Sequence, residues 1–128
     1  MACLDTDVIV GFLRNSADAV SKITELNEKG ETLTVSPIAA CEIYKGAFRS
    51  TKENSLEYVE SVLDGLTILE INRAASRLYG KYKEKMKKSP IGDFDLLIAC
   101  TALAYNEKII TRNVREFEKV EGLKVEKW

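Results

Sequence analysis

The sequence predicts an α/β protein: a parallel sheet of about five strands with helices on both faces, a three-layer α/β/α sandwich. Short apolar or β-branched runs alternate with helix-period segments along the whole chain, and such alternation builds parallel sheets through right-handed crossovers. The chain has 128 residues, 45% of them hydrophobic. That is enough for one core without metals or disulfide staples, and too little for two. No repeat, low-complexity tract or linker interrupts the series, so residues 1–128 read as one domain.

The elements follow in order. Ala2 to Leu4 is a short apolar run ending in Asp5 and reads as the first strand. Val8 to Leu13 has helical spacing, and a second helix carries Ala17, Val20, Ile23 and Leu26 before Gly30 closes it. Thr32 to Val35 is the second strand. Ser36-Pro37 then supplies an N-cap and a proline at the first helical position. The helix it opens places Ala39, Ala40, Ile43, Tyr44, Ala47 and Phe48 on one broad face. Thr51 or Asn54 caps the next helix, with Leu56, Val59, Leu63 and Leu66 as its apolar residues. Thr67 to Ile71 is a β-branched third strand, and Asn72 caps a helix striped by Ala75, Leu78, Tyr79, Tyr82 and Met86. Phe94 to Tyr105 is apolar almost all round, the mark of a helix buried on several sides. Lys108 to Thr111, Val114 to Phe117 and Leu123 to Trp128 read as a fourth strand, a short helical turn and a fifth strand.

Composition removes whole classes of chemistry. The chain has no histidine, which excludes Ser-His-Asp hydrolases, Cys-His proteases and His-ligated zinc sites. Cys3, Cys41 and Cys100 are odd in number, far apart and flanked by apolar residues; they read as buried free thiols and place the chain in the cytoplasm. Met1 leads straight into a strand-like run, unlike an export signal, and no apolar stretch approaches the ~20 residues of a membrane span. The net charge of −1 hides a polarity: residues 1–64 carry 6 Lys and Arg against 11 Asp and Glu, residues 65–128 carry 13 against 9. From Arg77 to Lys88 six basic residues stand against Glu84 alone. Such a run is either a solvated helix face or a contact for a polyanion.

Ligands of open parallel sheets bind beyond the carboxyl ends of the strands, near a switch in strand order. That rule selects Asp5 and Asp7 after the first strand, Glu42 in the helix after the second, and Thr111, Asn113 and Glu116 after the fourth. Asp95, in about the second turn of the helix that runs back into the fourth strand, can approach the same rim. Taken singly, most have a plain structural role. Asp5, Asp7 and Asp93 fit helix N-capping, and Glu42 fits an exposed pair with Lys45. Asp95 does not, because an ionised carboxylate between Phe94 and Leu96 on a buried helix costs several kcal/mol unless a cation or hydrogen bonds offset it. If Asp5, Glu42 and Asp95 converge, with Glu116 or Asn113 nearby, they form a cluster of hard oxygen ligands. Such a cluster suits Mg²⁺ or Mn²⁺ rather than zinc or copper. The ion would activate water and neutralise charge on a phosphodiester, replacing the absent histidine.

At these residues the chain resembles the PIN-domain family and, within it, the VapC-type toxins of prokaryotic type II toxin-antitoxin modules. The resemblance rests on Leu4-Asp5-Thr6-Asp7, on Ser36-Pro37 leading to Cys41-Glu42-Ile43-Tyr44-Lys45-Gly46, and on Pro90-Ile91-Gly92-Asp93-Phe94-Asp95-Leu96-Leu97-Ile98-Ala99. It ends with Thr111-Arg112-Asn113-Val114-Arg115-Glu116-Phe117 and the closing strand to Trp128, so it covers nearly the whole length. It implies a PIN-like sandwich, Mg²⁺-dependent endoribonuclease activity, a homodimer, and an antitoxin protein lying over the site. By motif position it implies Asp5 and Asp95 as principal metal ligands and Glu42 as a ligand or water-orienting group. Two positions depart from the family pattern. Asp7 stands where asparagine is commonest, and the fourth acidic position, commonly aspartate, is offered here by Asn113 and the longer Glu116. Thr111 and Asn113 then serve instead to position water or phosphate.

The expected reaction is attack of water on an RNA phosphodiester, with Lys81 and Lys85, or Arg112 and Arg115, contacting the strand. Two rivals stand beside it. Cys3-Leu4-Asp5-Thr6-Asp7-Val8 resembles the opening of haloacid dehalogenase-type phosphatases, with Asp5 as nucleophile. A degenerate PIN scaffold would bind RNA or a protein without cleaving.

Overall fold

The computed structural model describes residues 1–128. Its elements are β1 (Ala2–Leu4), α1 (Thr6–Leu13), α2 (Ala17–Glu28), β2 (Leu33–Val35), α3 (Pro37–Arg49), α4 (Ser55–Asp64), β3 (Thr67–Ile68), α5 (Arg73–Lys85), α6 (Asp93–Ala104), β4 (Lys108–Thr111), α7 (Val114–Phe117) and β5 (Val125–Lys127). All five strands are parallel, in the order β3-β2-β1-β4-β5. The chain builds outward from β1 to β3, then returns to the other side of β1. The order therefore switches between β1 and β4. Right-handed crossovers put α1–α4 on one face and α5–α7 on the other; α1 packs on α2 and α3, and α5 on α6.

One core cluster of 25 buried residues joins the layers. β1 lies at its centre, paired on both edges, and Ala2, Cys3 and Leu4 are fully enclosed, as an apolar central strand of a parallel sheet should be. In α6, Leu96, Ile98, Ala99, Cys100, Thr101 and Ala102 are all buried, matching the all-round apolar sequence.

Several expectations need correction. β3 ends at Ile68 rather than Ile71 because it is an edge strand paired only with β2. Leu69 gives a last amide bond to Val35 before the chain turns away to the Asn72 cap. Cys41 is exposed, on the solvent side of α3. Cys3 and Cys100 are the buried thiols, and burial pushes them up to about 12 and about 11, so neither is a ready nucleophile. Phe48 and Phe94, counted among apolar faces, are 74% and 58% exposed. No helix is long and apolar enough to cross a membrane.

Candidate active site

The switch between β1 and β4 opens at the carboxyl ends of the strands, where such sheets take their ligands, and Asp5 sits in the opening. Its backbone amide donates to Ile110 at 3.0 Å, continuing the β1–β4 ladder by one residue. Its extended backbone makes it the N-cap of α1, and its Oδ1 accepts from the Thr6 amide at 2.8 Å. Capping thus occupies only one oxygen. The other, Oδ2, accepts from the Thr111 hydroxyl at 2.7 Å. With 5% exposure, burial pushes the Asp5 carboxyl up to about 7, helped by the nearby charges of Asp7 and Asp95 and opposed by the two hydrogen bonds.

Glu42 arrives from α3, whose start is set by Pro37 and by the Ser36 hydroxyl accepting from the Ile38 and Ala39 amides at 3.0 and 3.3 Å. Its Oε1 accepts from the Thr6 hydroxyl at 2.7 Å. That bond takes the place of the expected pair with Lys45. Asp95 comes from the first turn of α6 and is half-buried, less enclosed than its sequence neighbours imply. The first turn stands at the rim with Phe94 in solvent, and full burial begins at Leu96. Burial, then the charges of Glu42, Glu116 and Asp7, raise the Asp95 carboxyl. The rim therefore gathers Asp5, Glu42 and Asp95, with Asp7 and Glu116 beside them. Asn113 Nδ2 reaches Asp95 Oδ2 at 3.4 Å, and the Thr111 hydroxyl accepts from the Asn113 amide at 2.9 Å.

The remaining candidates divide. Asp93 is the first residue of α6, and Gly92, not Asp93, is the cap. Its carboxylate accepts from Lys83 Nζ at 2.7 Å and Tyr79 Oη at 2.9 Å, and Lys83 holds it below the usual carboxylate range. Glu116 pairs with Lys119 at 3.1 Å. Lys85 pairs with Glu121 at 2.6 Å, Lys81 lies near the Tyr82 ring, and Arg112 turns to Asp18 at 3.1 Å. Arg115 is exposed. Two contributors were not singled out from sequence: Thr6, whose hydroxyl holds Glu42, and Trp128, whose indole Nε1 donates to Asp7 Oδ1 at 2.9 Å. The position of Thr6 between Asp5 and Asp7 was a local signal. For Trp128 there was none.

No lysine or arginine forms an ion pair with Asp5, Glu42 or Asp95. Oxygen donors with uncompensated negative charge fit a hard divalent cation. As they stand, no three acidic side chains are drawn together tightly enough to cage one. Mg²⁺ keeps several waters and takes one or two carboxylates directly, so what fits it here is the chemistry of the donors rather than a closed cage. Beside Glu42 a groove of about 680 Å³ runs between α1, α3 and α4, lined by Val10, Leu13, Ile43, Ala47 and Tyr58 with Arg14 at its edge.

Known proteins resemble this chain over nearly its whole length. The PIN domain profile matches residues 2–123. Ribonuclease VapC1 of Haemophilus influenzae (strain R2866) is 34% identical over 98% of this chain and 96% of its own. The tRNA(fMet)-specific endonuclease VapC of Shigella flexneri is 30% identical over the same shares. Among solved structures, VapBC2 from Rickettsia felis, bound to a DNA fragment from its promoter, superposes with a TM-score of 0.89 at 27% identity, covering 99% of this chain and 98% of that one. A profile and relatives that span the chain, on the fold and strand order just described, show that the protein belongs to the PIN-domain family, among its VapC-type members.

Proposed function

We propose that this chain is the endoribonuclease toxin of a toxin-antitoxin pair and that Asp5, Glu42 and Asp95 hold its divalent cation, Mg²⁺ with Mn²⁺ as a substitute. The single observation behind this is the rim: three carboxylates from three elements share one opening, and no basic side chain neutralises them. The cation supplies Lewis acidity toward water and phosphate. The chain's own groups do the rest. Thr111 and the Thr6 amide fix the Asp5 carboxylate, the Thr6 hydroxyl fixes Glu42, and Asn113 steadies Asp95. Arg115 and the basic run with Lys81 and Lys85 contact the RNA strand, and Asp7, Asp93 and Glu116 stay outside the direct ligand set.

PIN-family membership displaces the dehalogenase-type reading of Asp5 as a phosphorylated nucleophile. The relatives' names point to RNA, and tRNA(fMet) is the first substrate to try. The partner is an antitoxin, because the Rickettsia felis relative was solved as a toxin-antitoxin complex. The groove beside Glu42, apolar at Val10, Leu13, Ile43 and Ala47 and charged at Arg14, Arg49, Lys52 and Glu53, offers that partner a seat next to the carboxylates. A cytoplasmic homodimer completes the reading; sedimentation of the isolated chain checks the dimer.

The test is cleavage by the purified chain, freed of any partner. It should cut a tRNA(fMet) transcript with Mg²⁺ or Mn²⁺ and stop on chelation. RNA binding without Mn²⁺ uptake in calorimetry would instead identify an inactive scaffold.

A further inference from the structure

We propose that Asp7 is a positioning residue, clasped by the indole of Trp128, that leaves the Thr111 hydroxyl to Asp5 and so holds the Asp5 carboxylate toward the cation. The proposal rests on Asp5 being a metal ligand, as argued above.

The Asp7 carboxylate meets three donors. Its Oδ1 accepts from Trp128 Nε1 at 2.9 Å, and its Oδ2 accepts from the Arg112 amide at 2.9 Å with the Thr111 hydroxyl at 3.3 Å. Two N–H groups thus approach two different oxygens. A carboxylate accepts at both, whereas an asparagine amide has one oxygen and one NH₂ and must turn a donor toward a donor. The residue at position 7 is therefore matched to a tryptophan 121 residues away.

The indole has a built seat. A Cβ added at Gly11 would lie 3.0 Å from the ring and 2.9 Å from the Ala19 Cβ, so only glycine leaves room for it there. The Arg112 guanidinium lies over the ring at 3.7 Å from its centroid and is tied to Asp18 at 3.1 Å. Arg112, expected to contact RNA, is a member of this clasp.

The clasp acts on Asp5 through one proton. The Thr111 hydroxyl has a single hydrogen to give, and Asp5 Oδ2 at 2.7 Å competes for it with Asp7 Oδ2 at 3.3 Å. The Arg112 amide holds Asp7 Oδ2 at that longer distance, and the hydrogen goes to the nearer oxygen, that of Asp5. Each Asp5 oxygen then carries one protein hydrogen bond and keeps a lone pair for the ligand. Released from Trp128 and Arg112, residue 7 and the 111–113 segment can shift, and the Asp5 carboxylate loses its fixed angle.

The test uses Asp7→Asn, Trp128→Phe, the double variant and Gly11→Ala, each checked for folding by circular dichroism. In Asp7→Asn, kcat on RNA should fall about tenfold with KM within about twofold, and Mn²⁺ should bind about tenfold more weakly in calorimetry. Trp128→Phe and Gly11→Ala should fall in the same direction by less. The double variant should cut at least as well as Asp7→Asn, because phenylalanine removes the opposed donor. Trp128 is the chain's one tryptophan, so a single indole N–H resonance reports the clasp in metal-free protein, and Asp7→Asn should speed its exchange about tenfold. An indole resonance indifferent to Asp7→Asn, unchanged Mn²⁺ affinity, or single-variant losses that simply multiply would each overturn the proposal. If the wild-type chain cuts no RNA, the proposed function fails, and the indole and Mn²⁺ measurements still decide the clasp.

Discussion

Around the amino ends of β1 and β4, Glu31 accepts from the Met1 amine at 2.8 Å and from Lys108 at 3.0 Å, Lys108 also meets Glu126 at 3.2 Å, and Lys22 bridges Glu126 and Glu25 at 2.6 and 3.2 Å. At the carboxyl ends of the same strands, the side chains of Asp5, Glu42 and Asp95 meet only hydroxyls and amides, within reach of like charges. Hydrogen bonds from the Met1 amine and Lys108 pull the Glu31 carboxyl down to about 2. Burial and like charges push Asp5 up to about 7. At one end acids and bases are matched within the chain, Glu107 excepted. The other is left open, and an open balance of buried acids marks a site completed from outside. Glu107 shows why company matters. It is 4% exposed with one oxygen on the Thr34 hydroxyl at 2.8 Å and the other unpartnered, and burial raises its carboxyl. Its acidic neighbour Glu31 is already held by the Met1 amine and Lys108, so no free second ligand is offered to an ion.

The sharpest way to break this contrast is to neutralise the open end. Asp5→Asn and Asp95→Asn should each lower kcat/KM on RNA by about a thousandfold or more, since each removes the charge of a proposed metal ligand. Metal-free Asp5→Asn should also melt above wild type, because the variant no longer buries a charge among like charges. Cleavage at the wild-type rate by either variant would show that the rim is not the site.

A pH titration of melting in chelator reads both ends at once. Asp5 holds its proton to about 7 in the folded chain against an ordinary 3.8, so the fold binds that proton more tightly and is weakened as pH rises across the interval. The loss amounts to about 4 kcal/mol at most and is complete above about pH 7. Glu31 has the opposite sign: its contribution is present above the ordinary carboxylate range and is lost as pH falls toward about 2. The melting temperature should therefore rise as pH drops from 7.5 to about 4.5 and fall below that. Millimolar Mg²⁺ should flatten the upper limb. A curve that declines steadily from pH 7.5 downward would contradict the contrast.

Glu116→Gln asks where the open end stops. Glu116 reaches Asp95 only through charge and already pairs with Lys119, so cleavage should fall by less than about fivefold. A loss as deep as that of Asp95→Asn would move Glu116 into the ligand set.

The alternation of elements was legible because its signals are local: Ser36-Pro37 opens α3, Asn72 caps α5 with a 2.9 Å bond to the Ala75 amide, and β1 is an unbroken apolar run. Exposure was less legible, since Phe94 and Phe48 look buried in any window of sequence. The sequence places Asp95 on a buried helix; the structure makes its side chain half-buried, and its neighbours Glu42 and Glu116 give it meaning. The Asp7–Trp128 clasp was invisible, because it exists only once β5 is laid beside β4. The pairing inside the basic run was invisible for a related reason: Lys83, Lys85 and Lys87 each have an acidic partner, and for Lys83 and Lys85 it lies on another element or loop.

The smallest effect belongs to the closed end. Lys108→Met removes the cation shared by Glu31 and Glu126 at 3.0 and 3.2 Å while keeping the length of the side chain. Lys108 is about a quarter exposed, the Met1 amine still serves Glu31, and Lys22 still serves Glu126. The variant should therefore lose about 1 kcal/mol of stability in urea. Cleavage and Mn²⁺ affinity should not change, because no contact links this network to the carboxylate rim. Equal losses of activity at both ends would mean that the sheet transmits charge from one end to the other, and the contrast would dissolve. A stability loss confined to Lys108→Met, with activity loss confined to Asp5→Asn and Asp95→Asn, separates acids that hold the fold from acids that await an ion.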